Sequence, residues 1–305
     1  SQINVHTLYG GVVPEVASRI HVENISTVIT EALEKATVTM DDIDAIAYTK
    51  GPGLIGSLHV GVQAAKTLAW VYHKPLLPIN HMTGHIYANA FVSELQFPLM
   101  ALVVSGGHTE LVWMKNDWNF EVIGTTQDDA IGEAYDKVAR VLGLGYPGGP
   151  VVDKLAKNGK PHYSLPTPKT SDPYNFSFSG LKTAVLQLKE REERKGNVVS
   201  PEDLVYAFQE TALTTMVSKT IAAVKEYKPK MIVLAGGVAA NSRLREMMKE
   251  EMSKVEGTEL LIPPMWCCTD NAAMIGASGQ IAYNHKCFGD LDAAADPNML
   301  MPGEK

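Results

Sequence analysis

Apolar and polar residues recur along the chain in blocks that predict helices and strands in alternation. From Val16 to Leu33, after Pro14, apolar positions return at helical spacing, which predicts an amphipathic helix with proline in its first turn. Short apolar runs at 44–49 and 75–79 predict strands, and the apolar stretch 58–70 between them predicts a helix. Strands that alternate with helices in this way are typical of an α/β sheet.

A second group of elements begins near residue 98. Runs at 100–104 and 110–113 flank a Ser-Gly-Gly-His turn and predict a hairpin, with 120–123 as its third strand. The remaining expected elements are helices at 128–142, 201–227, 242 onward and 271–285, strands at 231–234 and 259–262, and a proline-rich loop at 158–175. Because the later half repeats strand, glycine turn and helix, the pattern favours a duplicated two-lobe α/β architecture.

Composition narrows the class of protein. A chain of 305 residues exceeds what one hydrophobic core usually serves, and 45% hydrophobic with 20% charged residues is typical of a globular protein. No apolar run approaches the roughly 18–20 residues of a membrane span. Residues 1–6 show no basic region followed by an apolar stretch, so we do not expect secretion. Three cysteines do not form a disulfide framework, so we expect a reducing, cytoplasmic location and no membrane association.

Charge argues against nucleic-acid binding by bulk electrostatics alone, because 27 basic and 34 acidic residues give a net charge of −7. One basic run is interleaved with glutamates, which predicts a solvated helix face rather than a nucleic-acid stripe. Its members are Lys189, Arg191, Arg194 and Lys195.

Two histidines four residues apart, His81 and His85, are candidate metal ligands because that spacing places both on one face of a helix. Asp270 is a candidate third ligand, and two histidines with one carboxylate suit iron or zinc. Met82 stands where a metalloprotease of the HExxH type has its glutamate base, so that function is disfavoured. The alternative is a pair of histidines on a polar helix face without metal. The adjacent Cys267 and Cys268 could compete as ligands, but buried structural cysteine is the commoner explanation.

Glycine turns at 105–107 and 236–241 follow predicted strands and could hold phosphate through backbone N–H groups. A third glycine segment, 51–56, matches the dinucleotide fingerprint G-x-G-x-x-G, but the chain has no Asp or Glu between Asp44 and Glu94 to bind a ribose. A Rossmann oxidoreductase is therefore disfavoured.

Acidic residues around Gly132 form the last candidate cluster. Asp129, Glu133 and Asp136 have spacings that share a helix face, and Gly132 would leave room for a ligand beside them. Asp136 and the later Asp153 could accept hydrogen bonds from ribose hydroxyls. The alternative is a solvated acidic face neutralised by Lys137 and Arg140.

Taken together, these segments resemble the TsaD family (also called Gcp or YgjD) over nearly the whole chain. The matching motifs are Gly10–Glu15, Gly51–Leu54, His81–His85, Val104–Thr109, Asp128–Lys137, Tyr146–Pro150, Phe176–Lys182, Ala235–Asn241 and Cys268–Asn271. The resemblance implies a two-lobed actin-like, sugar-kinase-like ATPase fold (ASKHA, duplicated RNase H-like). We expect the first lobe at 1–96 plus 272–305 and the second at 97–271. Relative to the family pattern, the first lobe would lack its N-terminal hairpin.

The implied activity is transfer of a threonylcarbamoyl group from threonylcarbamoyl-AMP to N6 of the adenosine beside the anticodon of tRNA. By resemblance, His81, His85 and Asp270 would bind one Fe²⁺ or Zn²⁺ per chain. The implied substrate-binding residues are Val103, Val104, Ser105, Gly106, Gly107, Asp136, Gly149, Asp153 and Asn241.

The resemblance also implies partners and assigns no general base. The expected partners, besides tRNA, are a paralogous TsaB-like subunit, a TsaE-like ATPase and a separate synthase that makes the adenylate. An ATPase or phosphotransferase of the same fold, and a non-enzymatic scaffold, are the alternative functions.

Overall fold

A computed structural model describes residues 1–302 and contains alternating helices and strands. The helices are α1 (Ile3–Thr7), α2 (Pro14–Ala36), α3 (Ile55–Tyr72), α4 (His81–Tyr87), α5 (Ile131–Val141), α6 (Gly148–Ala156), α7 (Ser179–Arg194), α8 (Pro201–Tyr227), α9 (Ser242–Met252), α10 (Met265–Cys268) and α11 (Ala272–Asn284). The strands are β1 (Ile46–Gly51), β2 (Leu76–Asn80), β3 (Leu99–Val104), β4 (Thr109–Met114), β5 (Phe120–Thr125), β6 (Met231–Ala235) and β7 (Glu259–Leu261). Short 3₁₀ turns cover Met40–Asp42, Ala88–Phe91 and Gly237–Ala240. None of the described helices combines the length and apolar character needed to cross a bilayer.

The chain packs into two compact units. Unit 1 comprises Ser1–Phe91, Asp117–Phe120 and the chain from Asp270 onward, and unit 2 comprises Val92–Asn116 and Glu121–Thr269. The predicted lobe boundaries, at 96/97 and 271/272, fall within a few residues of two of these breaks and remain a prediction.

Unit 1 is built on a two-stranded parallel sheet, β1 beside β2, in which Ile46 pairs with Leu76. Helix α3 connects the two strands, as a parallel pair requires. Its buried side chains, among them Val62 and Ala65, pack with Tyr48 of β1. Helix α2 begins with Pro14 and ends at Ala36, because the next residue, Thr37, has a left-handed backbone that stops the helix.

Unit 2 contains a five-stranded sheet in the order β5-β4-β3-β6-β7. Strands β3 and β4 form the predicted antiparallel hairpin, whereas β3 and β6 run parallel. Every residue of Leu99–Val104 is buried, which explains its uninterrupted apolar sequence at the centre of the sheet. Helix α8 begins as predicted, with the Ser200 hydroxyl accepting a hydrogen bond from the Asp203 N–H.

The expectation that Asp128 and Asp129 open a helix is wrong, because α5 starts only at Ile131. The Asp128 carboxylate instead accepts hydrogen bonds from the N–H groups of Phe178 and Ser179, at 2.7 and 3.1 Å, and so caps α7 fifty residues later in the sequence. A carboxylate satisfies the free N–H groups of any helix start that the fold brings to it.

Helix α6 has no counterpart among the predicted elements. Its first turn contains Gly148, Gly149 and Pro150, which in isolation are typical of a turn. Pro150 is nevertheless compatible with a first helical turn, where its missing N–H would have no partner in the helix.

Candidate metal centre and glycine-turn site

Helix α4 carries both histidines, and Asn80 fixes where this helix begins. The Asn80 side chain accepts a hydrogen bond from the N–H of Met82 at 2.8 Å, while its amide donates to the carbonyls of Met299 and Leu300. The start of α4 is therefore tied to the later chain, and His81 and His85 project one helical turn apart.

Helix α11 brings Asp270 to this pair. Asp270 directly precedes Asn271, whose side chain caps α11 by accepting from the Met274 N–H at 2.9 Å. A Cβ added at Gly84 would lie 2.9 Å from Ile275, so the absent side chain lets α4 and α11 approach closely. The hydroxyls of Thr83 and Ser278 hydrogen-bond at 2.9 Å between the same two helices.

The three predicted metal ligands lie together in unit 1. Nε2 of His81 and Nε2 of His85 are 3.3 and 3.1 Å from Oδ1 of Asp270. One ligand atom from each residue falls within 4.8 Å of the others. The His85 side chain is 1% exposed and that of Asp270 76%, so the cluster is closed on the helix side and open at the carboxylate.

This cluster fits a metal ion. Both ring nitrogens of His85 are buried without a hydrogen-bond partner among the described residues, since the approach of Asp270 lacks hydrogen-bond geometry. Buried polar atoms are nearly always satisfied, so an orphaned imidazole points to a ligand. Two ligand atoms that each lie about 2.1 Å from a tetrahedral zinc are roughly 3.4 Å apart. The distances of 3.3 and 3.1 Å from the two histidine Nε2 atoms to Asp270 Oδ1 are close to this value.

The electrostatics of Asp270 agree with such a role. Partial desolvation would raise the pKa of its carboxyl, but the close approach and charge of His81 and His85 outweigh this and hold the pKa well below its usual range. The carboxylate is therefore ionised and available as a ligand at neutral pH.

The vicinal cysteines do not join this group. Cys267 and Cys268 are buried in unit 2, and Arg245 lies 3.1 Å from the Cys268 sulfur. Burial raises the pKa of both thiols, so they are protonated and poorly suited to bind metal.

The predicted glycine turn follows β3 and is held by its own serine. Ser105 Oγ accepts hydrogen bonds from the N–H groups of Gly107 and His108 at 3.3 and 3.0 Å, while the Gly106 N–H has no partner among the described residues. A Cβ at Gly106 or Gly107 would meet nothing within 4 Å, so the backbone of this turn faces open space. Val103 and Val104 are buried in β3 and supply the rigid strand behind it.

The expectation that Gly132 leaves room for a ligand is wrong. A Cβ at Gly132 would lie 2.6 Å from the Ser105 carbonyl oxygen and 2.8 Å from the Gly106 Cα. The Gly132 N–H also donates to the Ser105 carbonyl at 3.2 Å. The space that glycine leaves is therefore filled by the glycine turn itself, which Gly132 positions.

Asp136 and Gly149 meet where α6 begins. The Asp136 carboxylate accepts a hydrogen bond from the Gly148 N–H at 2.7 Å, and a Cβ at Gly148 would lie 2.7 Å from the Asp136 Cα. Burial raises the pKa of Asp136, and the N–H groups of Gly148 and Gly149 only partly oppose it. Asp136 thus holds α6 in place, and the Gly149 Cα faces open space.

Asp153 and Asn241 are joined through the start of α9. Asp153 accepts from the N–H and the hydroxyl of Ser242 at 3.1 and 3.0 Å. Asn241 caps α9 by accepting from the Leu244 N–H, and its amide donates to Gln209 at 2.9 Å and to Tyr135 at 3.3 Å. Both side chains therefore have structural partners, and their predicted contact with substrate remains a prediction.

The acidic residues Asp129 and Glu133 fit the alternative of a solvated acidic face that is neutralised by neighbouring cations. Lys137 pairs with Asp129 at 2.7 Å and with Glu133 at 2.9 Å. These carboxylates are neutralised within the helix surface rather than left for a ligand.

Comparison with known proteins identifies the family. The family model described as TsaD, tRNA N6-adenosine threonylcarbamoyltransferase, matches residues 1–277. The chain belongs to the TsaD family. A Bacillus cereus protein named tRNA N6-adenosine threonylcarbamoyltransferase is 53% identical over 300 residues, which cover 98% of this chain and 88% of that protein. A Bacillus subtilis protein of the same name is 54% identical over 300 residues, 98% of this chain and 87% of that protein.

Solved structures show the fold of this TsaD-family chain. The crystal structure of T. kodakarensis HypF aligns with a TM-score of 0.61 at 12% identity over 83% of this chain and 42% of that chain. A full-length HypF structure aligns with a TM-score of 0.59 at 14% identity, over 82% of this chain and 40% of that chain. These likenesses show that most of the chain shares the fold of the HypF structures, and the predicted α/β class is confirmed.

Several residues that position the TsaD-family site were not among the predicted ones. Asn80 has a recognisable signal, because an asparagine directly before a helix is a typical N-cap. Ser278 and Gln209 have none, since their partners Thr83 and Asn241 are distant in sequence and only the fold brings them together.

Proposed function

We propose that this chain transfers the threonylcarbamoyl group of threonylcarbamoyl-AMP to N6 of the adenosine beside the anticodon of tRNA. The family match over residues 1–277 carries the proposal. In this reaction the N6 nitrogen bonds to the carbamoyl carbon, the bond from that carbon to the AMP phosphate oxygen breaks, and AMP and one proton leave.

The glycine turn is suited to hold the phosphate of the adenylate. The Gly106 N–H has no partner among the described residues and can donate, and the Gly107 N–H donates to the Ser105 hydroxyl at 3.3 Å. Donors already fixed in place stabilise an anion without costly reorganisation. Val103 and Val104 support this turn, and we assign Asp136, Gly149, Asp153 and Asn241 to the surroundings of the adenosine and its ribose.

His81, His85 and Asp270 would hold one Fe²⁺ or Zn²⁺ per chain, as their donor set suits both ions. Such an ion supplies Lewis acidity for a carbonyl or carboxylate oxygen of the threonylcarbamoyl group. The chain itself positions the ligands, because hydrogen bonds of Asn80, Thr83 and Ser278 fix the two helices that carry them.

We further propose that the chain works in the cytoplasm with a TsaB-like subunit and a TsaE-like ATPase, and receives its adenylate from a separate synthase. The net charge of −7 supports this proposal, because an acidic chain binds tRNA more readily when partner subunits supply part of the positive charge.

The test is to incubate the chain with tRNA and either threonylcarbamoyl-AMP or ATP, with these partners and, in parallel, without them. We expect AMP release that requires tRNA, and a threonylcarbamoyl group at N6 by mass spectrometry of the digested tRNA. ADP formed from ATP by this chain alone, with no modified adenosine, would favour the phosphotransferase alternative. Metal analysis of the protein purified without oxygen would then decide between iron and zinc.

A metalloprotease function has no structural support. Met82 is 3% exposed on α4, at the position where a glutamate base would have to stand.

A further inference from the structure

Two runs of basic residues in unit 2 differ in how their charges are balanced. In α7 and just beyond it, every cation of the predicted solvated face has a carboxylate partner within 4 Å, as expected for that interpretation. The pairs are Lys189 with Glu193, Arg191 with Glu192, Arg194 with Glu190, and Lys195 with Glu192.

The second run, here called the 154–169 segment, contains Lys154, Lys157, Lys160 and Lys169. All four are exposed, and none of their ammonium groups has an ion-pair partner among residues 1–302. The sequence contains no Asp or Glu between Asp153 and Asp172, so this stretch carries four positive charges in a chain of net charge −7.

Two carboxylates beside this segment, Asp153 and Asp203, already have hydrogen-bond partners. Asp153 is bound to Ser242 at the start of α9. Asp203, which is 8% exposed, accepts from the Lys160 backbone N–H and lies 2.7 Å from the His162 ring. Asp203 holds the segment at Lys160 and His162, and the charge of Lys160 helps to lower the pKa of this carboxyl without forming an ion pair within 4 Å. All four lysines remain exposed.

The backbone of the segment is ordered. A Cβ at Gly159 would lie 2.3 Å from the Glu202 carbonyl oxygen, so glycine lets the chain lie against α8. Leu165 is buried, and Lys219 of α8 donates to Thr170 at 2.6 Å. Lys154 and Lys157 are three residues apart at the end of α6 and therefore share a face. Cations on an ordered platform lose less entropy when they bind a partner.

We infer that the 154–169 segment contacts the phosphate backbone of tRNA. This inference rests on the proposed function, which makes tRNA the polyanion that this chain must bind. Exposed lysines without carboxylate partners gain most from phosphates, because binding releases condensed counterions from the nucleic acid.

The test compares two triple variants with the same change in net charge. The first combines Lys154→Gln, Lys157→Gln and Lys160→Gln, and the control combines Lys189→Gln, Arg194→Gln and Lys195→Gln. Binding of tRNA is measured at several salt concentrations by fluorescence anisotropy, in the presence of the partner subunits. Thermal unfolding and binding of threonylcarbamoyl-AMP show that each variant is folded.

We expect the first variant to bind tRNA about 10-fold or more weakly at ~0.1 M salt, with the slope of log K against log salt smaller by about 2 to 3. In the transfer assay its KM for tRNA should rise while its rate at saturating tRNA stays near wild type. The control should stay within about 2-fold of wild type, because its cations already have partners.

Equal affinity and equal salt slope in the two variants would overturn the inference and leave the proposed function standing. Loss of partner-subunit binding with unchanged tRNA affinity would also overturn it, since the segment would then be a protein interface. Failure of the unaltered chain and its partners to bind tRNA at all would reject the proposed function together with the inference.

Discussion

The candidate metal centre of unit 1 and the glycine-turn site of unit 2 differ in whether their polar side chains have hydrogen-bond partners within the protein. In the candidate metal centre, the buried His85 ring has no hydrogen-bond partner among residues 1–302, and the nearby Asp270 is ionised and exposed. In the glycine-turn site, Asp136, Asp153 and Asn241 all have hydrogen-bond partners within the protein. The first site therefore keeps an unsatisfied imidazole that a ligand could satisfy, whereas the side chains of the second site are held by hydrogen bonds within the protein.

The largest effect should come from removing the orphaned ligand. In His85→Ala we expect less than about a tenth of the wild-type metal content and a loss of transfer activity of roughly 100-fold or more, because two remaining ligands cannot close the site. Metal content by mass spectrometry and the rate of AMP release measure this.

The control for that variant is His59→Ala, an exposed histidine on α3 of the same unit. It should keep both metal and activity. A folded His85→Ala protein that retained one metal ion per chain would show that the centre lies elsewhere.

The glycine-turn site should instead respond to packing. Gly132→Ala places a Cβ 2.6 Å from the Ser105 carbonyl, which is backbone and cannot move aside cheaply. We expect a loss of about 1–3 kcal/mol in the free energy of unfolding, with weaker binding of the adenylate and unchanged metal content.

Gly106→Ala in the same turn is the matched comparison, since a Cβ there meets nothing within 4 Å. Its free energy of unfolding should stay close to wild type in urea denaturation. If the two alanine variants were equally stable, α5 would not be positioning the turn in the way described.

A smaller effect is expected from the contact between α4 and α11. Thr83→Val leaves the buried Ser278 hydroxyl without its partner, which should cost about 1–2 kcal/mol in the free energy of unfolding. Because the ligand-bearing helices are then held less firmly, metal affinity should fall, though far less than in His85→Ala.

Thr67→Val is the control, as Thr67 is exposed on α3 and its hydroxyl donates to the carbonyl of Gln63 in the same helix. This variant should change neither the free energy of unfolding nor the metal affinity. Equal behaviour of the two valine variants would mean that the Thr83–Ser278 contact does not stabilise the metal centre.

The smallest effect concerns Asp136, whose pKa is raised by burial in the folded protein. A carboxyl with a raised folded pKa contributes stability below its unfolded pKa of about 3.9, and this contribution is lost as pH rises through the folded pKa. Asp136→Asn keeps an oxygen that can accept from Gly148 and cannot ionise. Its stability relative to wild type should therefore improve as pH rises from about 4 to 7, as followed by urea unfolding at each pH. A pH-independent difference would show that burial does not govern this carboxyl.

Much of the site was predictable where the signal is local. The spacing of His81 and His85, the apolar run of β3, the serine cap of α8 and the glycine turn after β3 all depend on neighbouring residues, and the structure has each of them. Features that depend on residues distant in the sequence were assigned wrongly or were not predicted. Asp128 was assigned to the nearest helix but caps α7, and α6 was hidden by its opening glycines.

The sequence by itself determined which side chains can perform chemistry and in which order the helices and strands that carry them follow one another. Both depend only on residue type and on the spacing of neighbouring residues. The tertiary structure decided which of those side chains meet. It placed Asp270 beside the two histidines through the packing of α11 on α4, and it filled the space at Gly132 with backbone rather than ligand. It also separated a neutralised basic run from an unpaired one, since charge pairing depends on distances that composition does not contain.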